Sequence, residues 1–261
     1  MELGLDNKVV IVTGGSKGIG LACARAFLLE GARVAIILRT EANLKAALQD
    51  LGASARDLIA VPCDLTRSDA AISMVTEVEQ RLGPVNVLVN SAGAAKHYLP
   101  EDLNADSWHA GMDAKYFTYI HSLQAVLPGM EKRGKGAIVN IIGIGGKVAN
   151  PVHLPGGAAN SALMLATVGL AHAYGPKGVR INGINPGLTM TERMWEAVRF
   201  EAKMRDLSAD DVLGERQSLI PLRRYATPED IANLALFLAA EKANYITGAV
   251  FPMDGGLTPV L

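Results

Sequence analysis

The residues best placed to do chemistry near the start of the chain are Thr13-Gly14-Gly15-Ser16-Lys17-Gly18-Ile19-Gly20. They follow a short apolar run, Val9-Val10-Ile11-Val12, that reads as a strand, and they open a segment that reads as a helix. Gly14 permits a tight turn where the strand ends. Gly18 and Gly20 let backbone approach a pyrophosphate and let the helix pack close to the sheet. A helix opening near Gly18 offers free N–H groups and its positive dipole end to phosphate, with Ser16 and Ile19 in the same turn. The chemistry of this segment is dinucleotide binding.

The next apolar strand selects the form of the dinucleotide. It ends Leu38-Arg39-Thr40. An acid at that point would hydrogen-bond a free ribose 2′-hydroxyl. Arg39 stands there instead, and Lys17 stands in the glycine turn. Two cations and no acid favour a 2′-phosphate, hence NADP(H) over NAD(H).

The elements that must position these residues alternate from the start. Strands are predicted at 9–13, 34–38, 58–62, 85–90, 137–142, 180–184 and 249–252. Helical patterns lie at 19–30, 41–51, 68–82, 107–133, 158–174 and 228–239. Near-continuous Val/Ile/Leu strands suit a parallel sheet buried on both faces. The alternation predicts a doubly wound α/β sheet of about seven strands, a three-layer α/β/α Rossmann fold with right-handed crossovers. Residues 192–219 interrupt the rhythm with a charged, Met-containing, helical stretch that reads as an insertion beside the site. No linker divides the chain, so residues 1–261 are expected to form one domain.

Composition bounds the function. A chain of 261 residues with 49% apolar residues is long enough for a sizeable core. A formal net charge of −1 supplies no global field for nucleic acid or an anionic membrane. Neither a signal peptide nor a membrane span is expected, the longest apolar run being taken as 235–240 with its flanks. Cys23 and Cys63 imply no disulfide, and a reducing cytoplasm fits them. His97, His109, His121, His153 and His172 lack metal-site spacing, so no metal is expected.

Taken together, these motifs resemble those of the short-chain dehydrogenase/reductase family in its common form, over about residues 5–258. The matching segments are Thr13–Gly20, Cys63-Asp64-Leu65, Asn90-Ser91-Ala92-Gly93, Ile138-Val139-Asn140, Asn182 with Asn185-Pro186-Gly187, and Tyr245-Ile246-Thr247-Gly248 to Asp254-Gly255-Gly256. The resemblance implies that Asp64 and Leu65 contact adenine and that Asn90, Ala92 and Gly93 line the centre of the cofactor. It also implies that Pro186, Gly187, Leu188, Thr189 and Thr191 hold the nicotinamide end. It implies a homotetramer or dimer, paired through the two long central helices.

The family reaction moves a hydride between nicotinamide and a carbonyl or alcohol carbon, and the resemblance implies an Asn, Ser, Tyr and Lys to serve it. Here the register set by Ile138-Val139-Asn140 puts Gly143 at the Ser position. Counting back from Leu170-Ala171 puts Gly156 at the Tyr position and Asn160 at the Lys position. Trp108 and Met112 put Lys115 at the Asn position. Loss of a hydroxyl and a phenol predicts a wider, less acidic pocket. Asn and Lys are exchanged between 115 and 160, so Lys115 either replaces the lost cation or points to solvent.

Substitute acids are few. His153 lies three residues before the Tyr position, and its usual pKa suits acid–base work. His97, Tyr98 and Lys147 are weaker possibilities as rim, packing or loop residues. Tyr116 should face about 100° away from Lys115 on a helix. The residues leave three functions open. One is an NADP(H)-dependent oxidoreductase acting noncanonically on a small carbonyl, conjugated or hydroxylated substrate. Another is a non-redox isomerase or lyase using the enlarged pocket. The third is a noncatalytic NADP(H)-binding subunit or sensor, partnered by a catalytic homologue.

Overall fold

The computed structural model describes residues 2–52, 54, 56–93 and 96–259. Strands β1 (Val9–Thr13), β2 (Arg33–Leu38), β3 (Leu58–Pro62), β4 (Val85–Asn90), β5 (Gly136–Ile141), β6 (Val179–Pro186) and β7 (Val250–Met253) form one parallel sheet in the order β3-β2-β1-β4-β5-β6-β7. The order reverses between β1 and β4, and a crevice opens where strands run outward from such a reversal. The register pairs Thr13 with Asn90 and Asn90 with Asn140. The loops that leave β1, β4 and β5 therefore start side by side.

The alternation of strand side chains divides the core into two layers. Val10 and Val12 face Phe27 of α1 (Gly18–Leu29) and Ile231 and Ala235 of α9 (Pro228–Ala239). Val9 and Ile11 face the other way. That layer holds Met74 and Val78 of α3 (Ser68–Leu82) and Leu123 and Leu127 of α5 (Thr118–Arg133). Helix α2 (Glu41–Leu51) packs on the first side through Ala47. Full burial of Phe27 contributes about 2–3 kcal/mol relative to an exposed ring.

Two departures from the predicted elements matter for the site. The stretch expected as one helix over 107–133 begins earlier, as α4 (Ala105–Gly111), because Asn104 and Ser107 form a capping box. It then passes through a π-helical turn, Met112–Phe117, before α5. Such turns rotate side chains off the regular helical register, and this one carries Lys115. The following helix, α6 (Leu154–Tyr174), starts four residues before the expected 158. Pro155 sits in its first turn, where a missing N–H costs nothing. Gly156 is thereby drawn into the helix. The charged interruption is helical, as α7 (Glu192–Arg205) and α8 (Ala209–Leu219).

The expectation about apolar length needs correction. Residues Pro151–Lys177 are long and apolar enough to cross a membrane by length and composition, with mean hydropathy 1.2. Small residues (Gly, Ala) hid this run from a search for bulky ones. In the structure α6 packs on β6 and the π-helical turn, burying Leu163, Thr167 and Ala171.

Candidate functional site

The glycine turn is built for a close approach. A Cβ on Gly20 would run into the Gly14 carbonyl, so only glycine lets α1 start this near the end of β1. The α1 N-terminus has no side-chain cap and no acid in its first turn. Its N–H groups and dipole are left for an anion, as a dinucleotide pyrophosphate requires. Thr13 Oγ1 accepts hydrogen bonds from Ser91 N–H and Ala92 N–H at 3.1 and 3.2 Å, locking the β4 exit loop against this turn. Across the crevice, Thr191 caps α7 by accepting from Met194 N–H at 3.3 Å. A Cβ on Gly18 would stand 3.1 Å from Thr191 Cγ2, so the two walls face each other there.

Lys17, Arg39 and Thr40 are exposed, and neither cation makes an ion pair among the described residues. Asp64 accepts from the Thr66 hydroxyl and N–H at 2.8 and 3.1 Å. The Thr66 hydroxyl chiefly holds its carboxyl below the usual range, with help from the Arg39 charge. Leu65 is buried, and Leu65 O is 2.9 Å from His121 Nδ1. Pro186 and Thr189 are buried, while Gly187 and Leu188 are half-buried.

The Asn90 side chain is bonded within the fold. It is fully buried; its Oδ1 accepts from Ser122 Oγ at 2.6 Å and its Nδ2 donates to Asn140 Oδ1 at 3.0 Å. Asn140 Nδ2 then donates to Thr167 Oγ1 at 2.9 Å. This chain of hydrogen bonds ties α5 and α6 to the sheet, and the Asn90 side chain is committed to it. Ala92 and Gly93, half-buried beyond it, remain at the crevice.

Lys115 points inward. It is 7% exposed, and its Nζ donates to Tyr119 Oη at 2.7 Å and to Ile141 O at 2.9 Å. Tyr119 is fully buried, and its Oη donates to the same carbonyl at 2.5 Å. A Cβ on Gly93 would stand 2.6 Å from Lys115 Cδ, so glycine at 93 is what lets the lysine pass. Burial drives the Lys115 ammonium well below its ordinary pKa, and the Arg193 charge adds to this. Burial pushes the Tyr119 phenol up, so it stays protonated.

Asn160 and Gly143 are neighbours. A Cβ on Gly143 would lie 3.1 Å from Asn160 Nδ2, so the expected opening at 143 is occupied in part by this amide. Gly156 is buried in the first turn of α6. Asn160 Oδ1 and His153 Nδ1 are buried with no hydrogen-bond partner among the described residues. The His153 ring lies 4.9 Å from the His97 ring, which lies 5.9 Å from Phe200. Burial, then the charges of His97, Arg193 and Lys115, bring His153 down to about 4. Tyr98 is half-buried, and Lys147 is exposed on its loop.

Tyr119 escaped the sequence reading, and Arg193 was read only as one charge of the 192–219 stretch beside the site. Tyr119 was signalled by its place four residues after Lys115, the spacing that stacks side chains on one helix face. Arg193 Nη2 donates to the Gly93 carbonyl across the crevice. Its place in the charged stretch that follows the Thr191 loop pointed to the site, but not to this partner.

Comparison with known proteins agrees with this architecture. A family model described as Enoyl-(Acyl carrier protein) reductase matches residues 14–258. The chain belongs to the short-chain dehydrogenase/reductase family of oxidoreductases. It is 34% identical to 2-(S)-hydroxypropyl-CoM dehydrogenase 3 of Xanthobacter autotrophicus over 98% of each chain. The L-sorbose reductase of Gluconobacter frateurii, solved with NADPH and L-sorbose, superposes with a TM-score of 0.90 at 29% identity, covering 100% of both chains. A short-chain oxidoreductase from Pseudomonas aeruginosa, solved with NADPH bound and containing an atypical catalytic center, superposes with a TM-score of 0.86 at 33% identity. That match covers 97% of this chain and 98% of the other.

Proposed function

We propose that this protein is an NADP(H)-dependent oxidoreductase of small carbonyl or hydroxyl compounds in which all four usual catalytic positions are replaced, by Lys115, Gly143, Gly156 and Asn160, and Lys115 serves the reacting oxygen. The observation that carries this reading is the setting of Lys115 Nζ, buried between Tyr119 Oη and Ile141 O. The likeness to an NADPH-bound relative with an atypical catalytic center supports it.

The Gly14–Gly20 turn, with Ser16 and the α1 N-terminus, would hold the pyrophosphate, and Lys17, Arg39 and Thr40 the 2′-phosphate. Asp64 and Leu65 would meet the adenine. Ala92, Gly93 and the 186–191 loop would line the nicotinamide end. NADPH supplies a hydride to the substrate carbon when bound.

Lys115 supplies the proton. Two of its N–H bonds are taken by Tyr119 Oη and Ile141 O. A third N–H exists only in the ammonium form and is directed to the substrate oxygen. As the carbonyl π-pair moves to oxygen, that oxygen takes the third proton. The neutral amine left behind keeps both hydrogen bonds, and its lone pair takes a proton back from solvent. The depressed Lys115 pKa makes the ammonium a stronger acid than an exposed lysine, as general acid work near neutrality requires. Alcohol oxidation reverses each step. His153, held low by burial, is a neutral hydrogen-bonding wall at neutral pH.

The test is NADPH oxidation over a panel of small carbonyl compounds, with wild type beside Lys115→Met. Turnover by the wild type, reduced about 100-fold or more in the variant, is the expected result. Tight NADPH binding with no turnover on any carbonyl would return the protein to the class of cofactor sensors.

A further inference from the structure

We propose that Arg193, with His97 and His153 beside it, seats a carboxylate, so that the substrate is a short oxo acid. This rests on the reading that Lys115 serves the substrate carbonyl.

The arginines of α7 and α8 differ in what they hold. Arg199 pairs with Glu192, Arg205 with Glu201 and Glu215, and Arg216 with Glu201. Arg193 makes no ion pair among the described residues, and its guanidinium donates to the Gly93 carbonyl. A guanidinium has five N–H donors in a planar fork that matches a carboxylate. Most of that fork remains unused.

Its place is tied to the reacting centre through Gly93. Arg193 reaches the carbonyl of Gly93, and the Lys115 side chain passes where a Gly93 Cβ would be. Carboxylate anchor and proton donor thus flank one residue, a span that suits a carbonyl only a few bonds from its acid group.

The surrounding wall has the same preference. Residues 193, 196 and 200 follow the spacing of one helix face on α7. His97 lies between Phe200 and His153, with ring centroids 5.9 and 4.9 Å away. His153 Nδ1 is buried without a partner among the described residues, a polar atom left for a ligand. Glu196 is the acid that His97 feels, and it makes no described ion pair. Against that carboxylate stand Arg193, which acts on both histidines, Lys115, which acts on His153, and Arg216, which acts on His97 and is itself paired with Glu201. The local field therefore favours an anion in a chain whose net charge is −1.

Calorimetry tests this with protein saturated with NADP+, so that no reduction proceeds. The titrants are 3-oxobutanoate and methyl 3-oxobutanoate. The acid is expected to bind about 10-fold tighter than the ester or better. Arg193→Gln should abolish that preference while NADPH affinity stays as in the wild type, and Arg193→Lys should restore part of it. Equal binding of acid and ester by the wild type overturns the proposal. So does a preference that survives Arg193→Gln, or a loss of NADPH affinity with the preference intact, which would assign Arg193 to the cofactor. NADPH oxidation by Lys115→Met is read separately. Undiminished turnover there refutes the role of Lys115 and leaves the acid-to-ester ratio to judge Arg193.

Discussion

Lys115 and Tyr119 converge on one carbonyl. Nζ reaches Ile141 O at 2.9 Å, Oη reaches it at 2.5 Å, and the two side chains bond each other at 2.7 Å. The phenol has one proton, and a carbonyl can only accept, so Tyr119 donates to Ile141 and accepts from Lys115. Tyr119 thus holds the lysine, and its own proton is committed to Ile141 O.

Tyr119→Phe should leave NADPH affinity unchanged and lower kcat by about 10-fold, because the ammonium loses an acceptor. A charged group that loses an acceptor becomes harder to protonate. The pH at which reduction falls off should therefore move downward in the variant. A pH–rate profile decides this; an unshifted profile would make Tyr119 a packing residue only.

The same burial sets a slope in stability. In the folded chain Lys115 has a pKa well below its ordinary 10.5, so between the two values the unfolded chain binds more protons. Stability then rises with pH through that window, and the penalty for burying the amine is present in full below it. Lys115→Met removes the penalty. Its melting temperature should exceed that of the wild type most at the acid side of the window, with the gap closing as pH approaches 10.5. A gap independent of pH would mean that Lys115 is not buried in solution.

Placing at 143 the serine that the resemblance implies should not restore family behaviour. Gly143 has φ +131°, a region that L residues rarely adopt, and its added Cβ would press on Asn160 Nδ2 at 3.1 Å. Gly143→Ser is expected to cost about 1–3 kcal/mol of stability and to gain no activity. Chemical denaturation and a rate assay together check both halves.

Much of this site was legible in the residues, and the reasons differ by part. The strand register followed from apolar runs, because a sheet buried on both faces tolerates little else. The proposed exchange at 115 and 160 was readable from Trp108 and Met112 on one helix and Leu170-Ala171 on the next. Whether Lys115 turned inward was not, because the π-helical turn at 112–117 leaves no mark in apolar periodicity. The bonding of the Asn90 side chain was hidden for a related reason: only the register of β4 against β5 brings it to Asn140. Arg193 depends on a contact 100 residues away in the chain, which no local pattern encodes.

In the proposed function cofactor choice rests on Lys17 and Arg39, both of which are exposed. Arg39→Asp would place an acceptor where a ribose 2′-hydroxyl can use it and repel a 2′-phosphate. The ratio of kcat/KM for NADPH to that for NADH should fall by about 10-fold or more, since a charge-assisted phosphate contact contributes about 1.5–3 kcal/mol. An unchanged ratio would show that the two cations are solvated surface charges.

The outer face of α6 sets the last expectation. Leu165 is 77% exposed, Val168 is 47% exposed and Phe117 of the preceding π-helical turn is 37% exposed. The resemblance implies pairing of copies through the two long central helices, and these side chains are the apolar surface such pairing would cover. Burying one leucine of this kind is worth about 1.5–3 kcal/mol per copy, and symmetry counts the effect in both partners. A charge at 165 would instead be buried unpaired. Leu165→Glu should therefore shift the protein to a smaller species in sedimentation or light scattering, with its far-ultraviolet circular dichroism unaltered. Because Lys115 and the 143–160 segment lie on or beside the same helices, the dissociated variant should also lose activity, and high protein concentration should recover part of it. An unchanged mass would mean that copies of the chain do not pair through this face.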